Sequence, residues 1–545
     1  MKLAVKYDRV CAFSIFIFIT WVFLIELFVL KRTGGVISYP LDDAFIHMAL
    51  AKNLAFHGNW GINPYEFGSA SSSIFYTLLL TVLFLVFRGG IIIPLLINVV
   101  AGVLLLITVN RWLRRQDISE RARLIILLLL IVITPLPILA ITGMEHTLQC
   151  LFDFLFIFGF AGWWEDARRS GSSTPFPTRL FVYSVLVTSI RFEGMFLVGF
   201  VCLILLYHRK IRLSVLLGIV ALSPVILFGI FSVMKGSYFL PNSVLLKSES
   251  LRFTVRGIID YLSNGIGQKL TVINHLRGKA TFKPEIDLLA TQQLLIILPV
   301  GFLLFRKYIG ERISYVTILI ILAATTVLHL WFASTGWFYR YEAYLIFCSV
   351  AVLGVLFVKY GKFIWQERGK GDLLLAGLLA FALFFPFVFR SSAAFDHAVT
   401  ACVNINQQQY RMGQFLKKYY PETKVGFNDA GAISYYTGGD NLDLWGLGNI
   451  DVARSKKSGK CSPEFLYELS RKRDIKFAIV YDSWFSDTLL RHWDKVATWS
   501  IKNNVICGDS IVTFYAVDPT LKGDLKEKLQ DFGPQLPESV GIKYY

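Results

Sequence analysis

The sequence predicts a mainly α-helical, polytopic membrane bundle of about eleven spans with a C-terminal α/β domain on the outer side. Three observations carry that expectation. Hydrophobic residues make up 55% of the 545-residue chain, which holds 46 Phe. They fall into many segments that approach or exceed the roughly 18 apolar residues needed to cross a bilayer. The basic residues cluster in short loops between those segments, and beyond residue 390 the chain turns polar and mixed.

The first segment, Cys11–Leu30, has no small-residue cleavage site and is followed by Lys31 and Arg32, so it reads as a retained helix. Lys2, Lys6 and Arg9 place the N-terminus inside. The loops holding Arg111–Arg123, Arg168–Arg179, His208–Arg212, Arg306–Arg312 and Lys359–Lys370 are then cytoplasmic as well. Two apolar runs, Ile74–Phe87 and Ile91–Val109, separate the first outer loop from the Arg111 loop. If both spanned, that basic loop would face outward. The shorter run is therefore read as a re-entrant or interfacial helix and the second as a span. The remaining spans are expected near 124–141, 148–164, 180–190, 194–207, 213–234, 294–305, 313–333, 343–358 and 373–389. Of these, 180–190, 194–207 and 294–305 are short. The odd total puts the C-terminus outside.

This threading defines a membrane part, 1–390, with a first outer loop at 31–90 and a long, basic outer loop at 236–293, followed by a soluble part, 391–545. In the soluble part Lys424–Tyr436, Phe477–Tyr481 and Ile511–Val517 read as strands beside helical stretches, which favours a small α/β or α+β domain. A net charge of +17 would point to nucleic acid in a soluble protein. Here it follows from topology, and no nucleic-acid partner is expected. Of the seven cysteines, Cys461 and Cys507 lie in the polar part, where an oxidising compartment would allow them to pair. No zinc cluster, Walker loop, HExxH or GxSxG occurs.

Charged residues mark the outer ends of the spans: Asp42 and Asp43, Glu145, Arg191 and Glu193, and Arg340. Such groups line a cavity or pair with one another, because neither charge sign is stable in lipid alone. Both readings stand at this point: a functional cluster, or a structural salt bridge among Glu145, Arg191, Glu193 and Arg340. Asp42 and Asp43 open a helix-like run after Pro40, where aspartate also serves as an ordinary cap.

Taken in order, these residues resemble the GT-C superfamily of membrane glycosyltransferases. Asp42-Asp43-Ala44-Phe45-Ile46, continuing through Lys52-Asn53-Leu54, Gly58 and Asn63-Pro64 to Ser69–Ser73, is similar to the family's first outer-loop motif. The likeness is greatest to the branch of mycobacterial terminal arabinofuranosyltransferases and their bacterial relatives. Thr142–Leu148 resembles that branch's SGxExxL element, and Ser189–Gly194 its TRPEG element with Phe192 in place of proline. Leu240–Ser243 with Lys247 resembles LPNxxxxK, and Tyr339-Arg340-Tyr341 an RY element. Asp429-Ala430-Gly431 with Asp443–Leu447 resembles a D-G…DxxGL element.

The resemblance implies the GT-C fold in a bacterial inner (plasma) membrane, and a sugar moved from a polyprenyl-phosphate donor to a cell-envelope glycan or glycolipid acceptor on the outer side. Such chemistry needs a base for the acceptor hydroxyl, and Asp42 is the expected base. Asp43 would orient it, bind acceptor or hold a metal. The leaving lipid phosphate needs cations: Arg191 and Arg340 first, then Lys247, His47 and Lys52. Glu145, Glu193 and Asn63 are expected as supporting or acceptor-binding residues. Alternatively, Asp43 with Glu145 or Glu193 would hold Mg²⁺ or Mn²⁺, and metal dependence stays open. The loop 236–293 is either a cover that binds lipid phosphate or acidic glycan, or a solvated amphipathic surface. The rival from another class is a transporter or flippase of a lipid-linked sugar, which would carry its charges near the bilayer midplane.

Overall fold

The structure, a computed structural model, describes residues 8–170, 174–247, 284–310, 312–366 and 370–545. Among these, seven helices are long and apolar enough to cross a membrane: Arg9–Thr33, Ile93–Arg115, His146–Arg169, Ile211–Met234, Ala290–Ile309, Ile313–Phe332 and Ala343–Phe363. The protein is a multi-pass membrane protein. Thr178–Ile190 and Gly194–Tyr207 are apolar and stay short, as the sequence predicts. The expected span 124–141 is two helices, Glu120–Ile133 and Leu136–Ile141, because Pro135 has no N–H to continue the first. The expected short span 294–305 belongs to a 26-residue helix, Pro284–Ile309, whose polar first turns were not read as helix. The last expected span lies within Lys370–Ile405, a 36-residue helix about 54 Å long at 1.5 Å per residue.

The chain forms two compact units, one of residues 1–24, 96–225 and 248–396, the other of residues 25–95, 226–247 and 397–545. The first is a helical bundle. Ile313–Phe332 packs on Pro284–Ile309, His146–Arg169 and Gly194–Tyr207, while Ala343–Gln366 packs on Glu120–Ile133 and His146–Arg169. One end is pinned by Arg123, which pairs with Asp8 at 2.7 Å and hydrogen-bonds Asn110 at 2.9 Å.

The second unit is α/β. Its strands are β1 Val425–Phe427, β2 Leu442–Asp443, β3 Phe477–Val480, β4 Asp494–Ser500, β5 Ile511–Ala516 and β6 Gly541–Tyr544. They form one sheet in the order β2-β1-β3-β5-β4-β6. β1 runs parallel to β2 and β3, and the remaining pairs are antiparallel. Two of the expected strands correspond to β3 and β5. The third is corrected: only Val425–Phe427 of Lys424–Tyr436 is strand, and Ala432–Tyr436 is helix. The buried face rests on Leu444, Val452, Leu466, Leu469, Ala478 and Val480.

The first outer loop is part of this second unit. Helix Asp43–His57 ends at Gly58, whose φ of 69° is the left-handed conformation a glycine adopts at least cost. Helix Ile74–Phe87 starts at Ser73, whose side chain accepts the Tyr76 N–H. Its 14 residues extend about 21 Å, less than the roughly 30 Å hydrocarbon layer. Cys461 and Cys507, whose pairing the sequence left open, are not joined: all seven cysteines are free, and the Cys507 thiol donates to Gln409 Oε1 at 3.3 Å.

Candidate functional site

The Asp42 side chain does not cap the helix it precedes. It reaches across the second unit to the loop after β1. There Oδ2 accepts the Gly431 N–H at 2.6 Å and Oδ1 accepts the Ala432 N–H at 2.8 Å. The approach is so close that a Cβ on residue 431 would lie 2.1 Å from the Asp42 carbonyl oxygen and 2.6 Å from Oδ1. Only glycine fits there. Each Asp42 oxygen keeps a lone pair beyond its backbone bond, so the carboxylate is oriented without being used up.

Two more carboxylates accompany it. Asp43 is its chain neighbour, and Asp429 lies two residues before Gly431; all three are half-buried. Burial, then the charges of Asp429 and Asp43, push the Asp42 carboxyl well above its ordinary range, against the pull of the two backbone N–H groups. Asp429 is held in turn. Its Oδ2 accepts from Gln409 Nε2 and from the Tyr481 hydroxyl, each at 2.8 Å. Gln409 and Tyr481 were not singled out in the sequence. Their only signal was the Asp429-Ala430-Gly431 string, which fixes the loop they support.

The other expected residues of this unit are tied into its framework. Lys52 Nζ donates to the Tyr435 carbonyl at 2.8 Å, and partial burial lowers its pKa. Buried His47 meets Thr77 through Nδ1 at 3.2 Å and lies edge-on to Tyr76. Asn63 Oδ1 accepts the Tyr65 and Glu66 N–H groups, while its Nδ2 donates to the Asn441 carbonyl at 3.3 Å. Asn242 donates to the Leu447 carbonyl at 3.3 Å. That loop is organised by buried Asp443, which accepts the Trp445, Gly446 and Gly448 N–H groups at 2.7–3.0 Å. Trp445 is half-buried against Trp484, at 4.5 Å between ring centroids. Lys247 ends the short helix Asn242–Lys247. Its side chain, and residues 248–283 of the expected long loop, lie outside the described residues.

A second charged cluster belongs to the helical unit. Arg191 occupies the break between helices Thr178–Ile190 and Gly194–Tyr207. It grips Glu193 with two nitrogens, Nε at 3.1 Å and Nη2 at 2.5 Å, and Glu145 with Nη1 at 3.0 Å. The break is tight: a Cβ on Gly194 would lie 2.3 Å from the Val187 carbonyl oxygen. The Arg191 and Arg340 guanidinium groups lie 5.2 Å and 4.9 Å from the centroid of one ring, Tyr341. Arg340 follows three consecutive non-glycine residues in left-handed conformation, Trp337, Phe338 and Tyr339, with φ of 48°, 64° and 62°. Such a run is costly and is held from outside. Glu342 accepts the Gly336 N–H at 2.9 Å and pairs with Arg390, which also donates to the Tyr339 carbonyl.

The salt bridge kept open by the sequence thus joins Arg191 to Glu145 and Glu193. No group of three or more His, Cys, Asp or Glu side chains able to hold a metal ion occurs among the described residues. Glu145 and Glu193 both turn a carboxylate toward Arg191. With both carboxylates already bound to a guanidinium, the Glu145–Glu193 pair does not fit a divalent cation.

A domain family of unknown function (DUF8728) matches residues 403–515. No curated protein matches the chain. Among solved structures, ArnT from Cupriavidus metallidurans in the apo state aligns with a TM-score of 0.52 at 12% identity, over 92% of this chain and 98% of that one. The same protein bound to undecaprenyl phosphate aligns with a TM-score of 0.51 at 12% identity, over 93% and 98%. The apo Archaeoglobus fulgidus oligosaccharyltransferase aligns at 0.47 with 14% identity, over 90% of this chain and 74% of that one. The chain has the GT-C fold.

Proposed function

We propose that this protein is an inverting glycosyltransferase that moves a sugar from a polyprenyl-phosphate donor to a cell-envelope glycan or glycolipid. The observation that carries the reading is the Asp42 carboxylate, fixed by two backbone N–H groups beside Asp429 and Asp43. The fold supports it, as does the undecaprenyl phosphate bound by a structure of the same fold.

In the proposed step an acceptor hydroxyl gives its proton to a free lone pair of Asp42 while its oxygen attacks the anomeric carbon. The bond from that carbon to the phosphate oxygen breaks, and the lipid phosphate leaves with the electron pair. One displacement inverts the anomeric centre, with no sugar-enzyme intermediate. General-base help of this kind contributes about 10²–10⁴-fold. A carboxyl pushed up by burial and like charge is a stronger base than an exposed one. Asp43 orients the acceptor. In the helical unit Arg340 is the candidate for the lipid phosphate, because guanidinium matches phosphate geometry. Arg191, bound by two carboxylates, holds Glu145 and Glu193 in place.

The test is sugar transfer by the full chain in vesicles supplied with a panel of polyprenyl-phosphate sugars and an envelope lipid extract as acceptor. Transfer with inversion from one donor supports the proposal. Movement of intact lipid-linked sugar across the bilayer without transfer would replace it with the transporter reading.

A further inference from the structure

The second unit carries a cavity of about 640 Å³ that the Asp42 site does not use. It lies against helices Ile450–Lys457 and Pro463–Lys472, and Tyr238 also lines it. Its volume falls within the range of small-molecule sites. Arg454, Lys460 and Lys472 line it together with the carboxylates of Asp451 and Glu468. Tyr238 and Phe465, both half-buried, supply ring surface. Cations outnumber carboxylates, so the cavity favours an anion. The carboxylates and the aromatic faces add what a bare phosphate does not need: acceptors for hydroxyl groups and apolar walls for C–H faces.

Two further observations place the ligand. Helix Ile211–Met234, apolar enough to cross a membrane, leaves Phe231 40% and Met234 79% exposed at its end, only a few residues before Tyr238. Arg454 donates to the Gly236 carbonyl, and Lys457 lies 4.7 Å from the Tyr238 ring centroid. The basic helix is therefore docked on the segment that leaves the membrane helix, where lipid headgroups lie. On the other side, Asp451 faces Arg473 at 3.8 Å, and Arg473 pairs with Glu66 of the first outer loop at 2.7 Å. The cavity is thus linked by ion pairs to the first outer loop, which holds Asp42.

We propose that this cavity is an acceptor subsite for an anionic sugar headgroup carried on a membrane lipid. The inference rests on the glycosyltransferase reading above and names its acceptor class. Arg454, Lys460 and Lys472 hold the acidic group, Asp451 and Glu468 accept its hydroxyls, and Tyr238 and Phe465 flank the ring.

The test is direct binding to the full-length protein in detergent, read by native mass spectrometry. Three lipids serve as probes: glucuronosyldiacylglycerol, charge-matched phosphatidylglycerol, and neutral galactosyldiacylglycerol. The glucuronosyl lipid should bind about tenfold more tightly than either of the others. Lys460→Glu with Lys472→Glu should remove that preference. Lys460→Gln with Lys472→Gln should reduce it by a smaller factor, with unchanged melting for both pairs because these side chains are exposed. Equal binding of phosphatidylglycerol would overturn the proposal in favour of a basic membrane-surface patch. Unchanged preference in the glutamate pair would overturn it as well. Asp42→Asn should bind the glucuronosyl lipid normally, so a failure of the transferase reading and a failure of this subsite are seen separately.

Discussion

Gly431→Ala is the most informative small change in the molecule. The new methyl would sit 2.1 Å from the Asp42 carbonyl oxygen and 2.6 Å from Oδ1, whereas ordinary contact begins near 3.4 Å. Asp42 and the loop must therefore separate by about 1 Å, because one clashing atom is backbone and cannot rotate away. The movement strains or breaks the two backbone hydrogen bonds to the carboxylate, each worth about 1.5–3 kcal/mol when the acceptor is charged. A base displaced by about 1 Å costs on the order of 10²-fold in rate. Transfer assayed at saturating donor should fall by about two orders of magnitude in kcat. Gly523→Ala is the control, since a Cβ there meets nothing within 4 Å. A Gly431→Ala enzyme with wild-type kcat would refute the view that this contact positions the catalytic carboxylate.

Three further outcomes are expected elsewhere in the molecule. Asp429→Asn removes a like charge that raises the Asp42 pKa, so the acidic limb of the rate profile should move to lower pH; an unmoved limb would detach Asp429 from the base. Lys456, pushed down to about 8 by burial, should protonate less readily folded than unfolded. Folding stability should then rise with pH between about 8 and the ordinary value of 10.5, and thermal melts should show that rise weakened in Lys456→Met. Arg390→Met should cost about 3–5 kcal/mol by stranding buried Glu342, and adding Glu342→Leu should restore most of it in melting experiments.

The membrane segments were legible because a bilayer demands a long apolar run from each span, a local property. Where the sequence misjudged them, local rules competed. Pro135 divided one helix, and the polar start of Pro284–Ile309 hid the true length of another. In the second unit, Lys424–Tyr436 looked like strand throughout, yet its second half is a helix whose first N–H groups meet Asp42, a residue about 390 positions earlier. No window of sequence contains that contact. β2 and β6 were missed for a related reason: β2 is a two-residue pairing, and β6 is an edge strand. The candidate residues divide in the same way. Asp42 and Gly431 were visible as motif members, but their partnership was not. Lys52 was read from the sequence as a phosphate candidate, and the Tyr435 carbonyl its Nζ reaches, 383 positions later, could not be seen there. The pairing of Arg191 with Glu145 and Glu193 was one of two open readings, since charges at the ends of apolar helices must find either each other or a ligand.

In the proposed transfer the Asp42 carboxylate takes the acceptor proton. This role is tested most directly by single-turnover transfer from a polyprenyl-phosphate sugar in reconstituted vesicles, comparing wild type, Asp42→Asn and Asp43→Asn at equal folded protein. Asp42→Asn should lose about 10²–10⁴-fold in the transfer step while still binding the donor, and Asp43→Asn should retain more activity. Transfer by Asp42→Asn at the wild-type rate, or a larger loss in Asp43→Asn, would contradict this role.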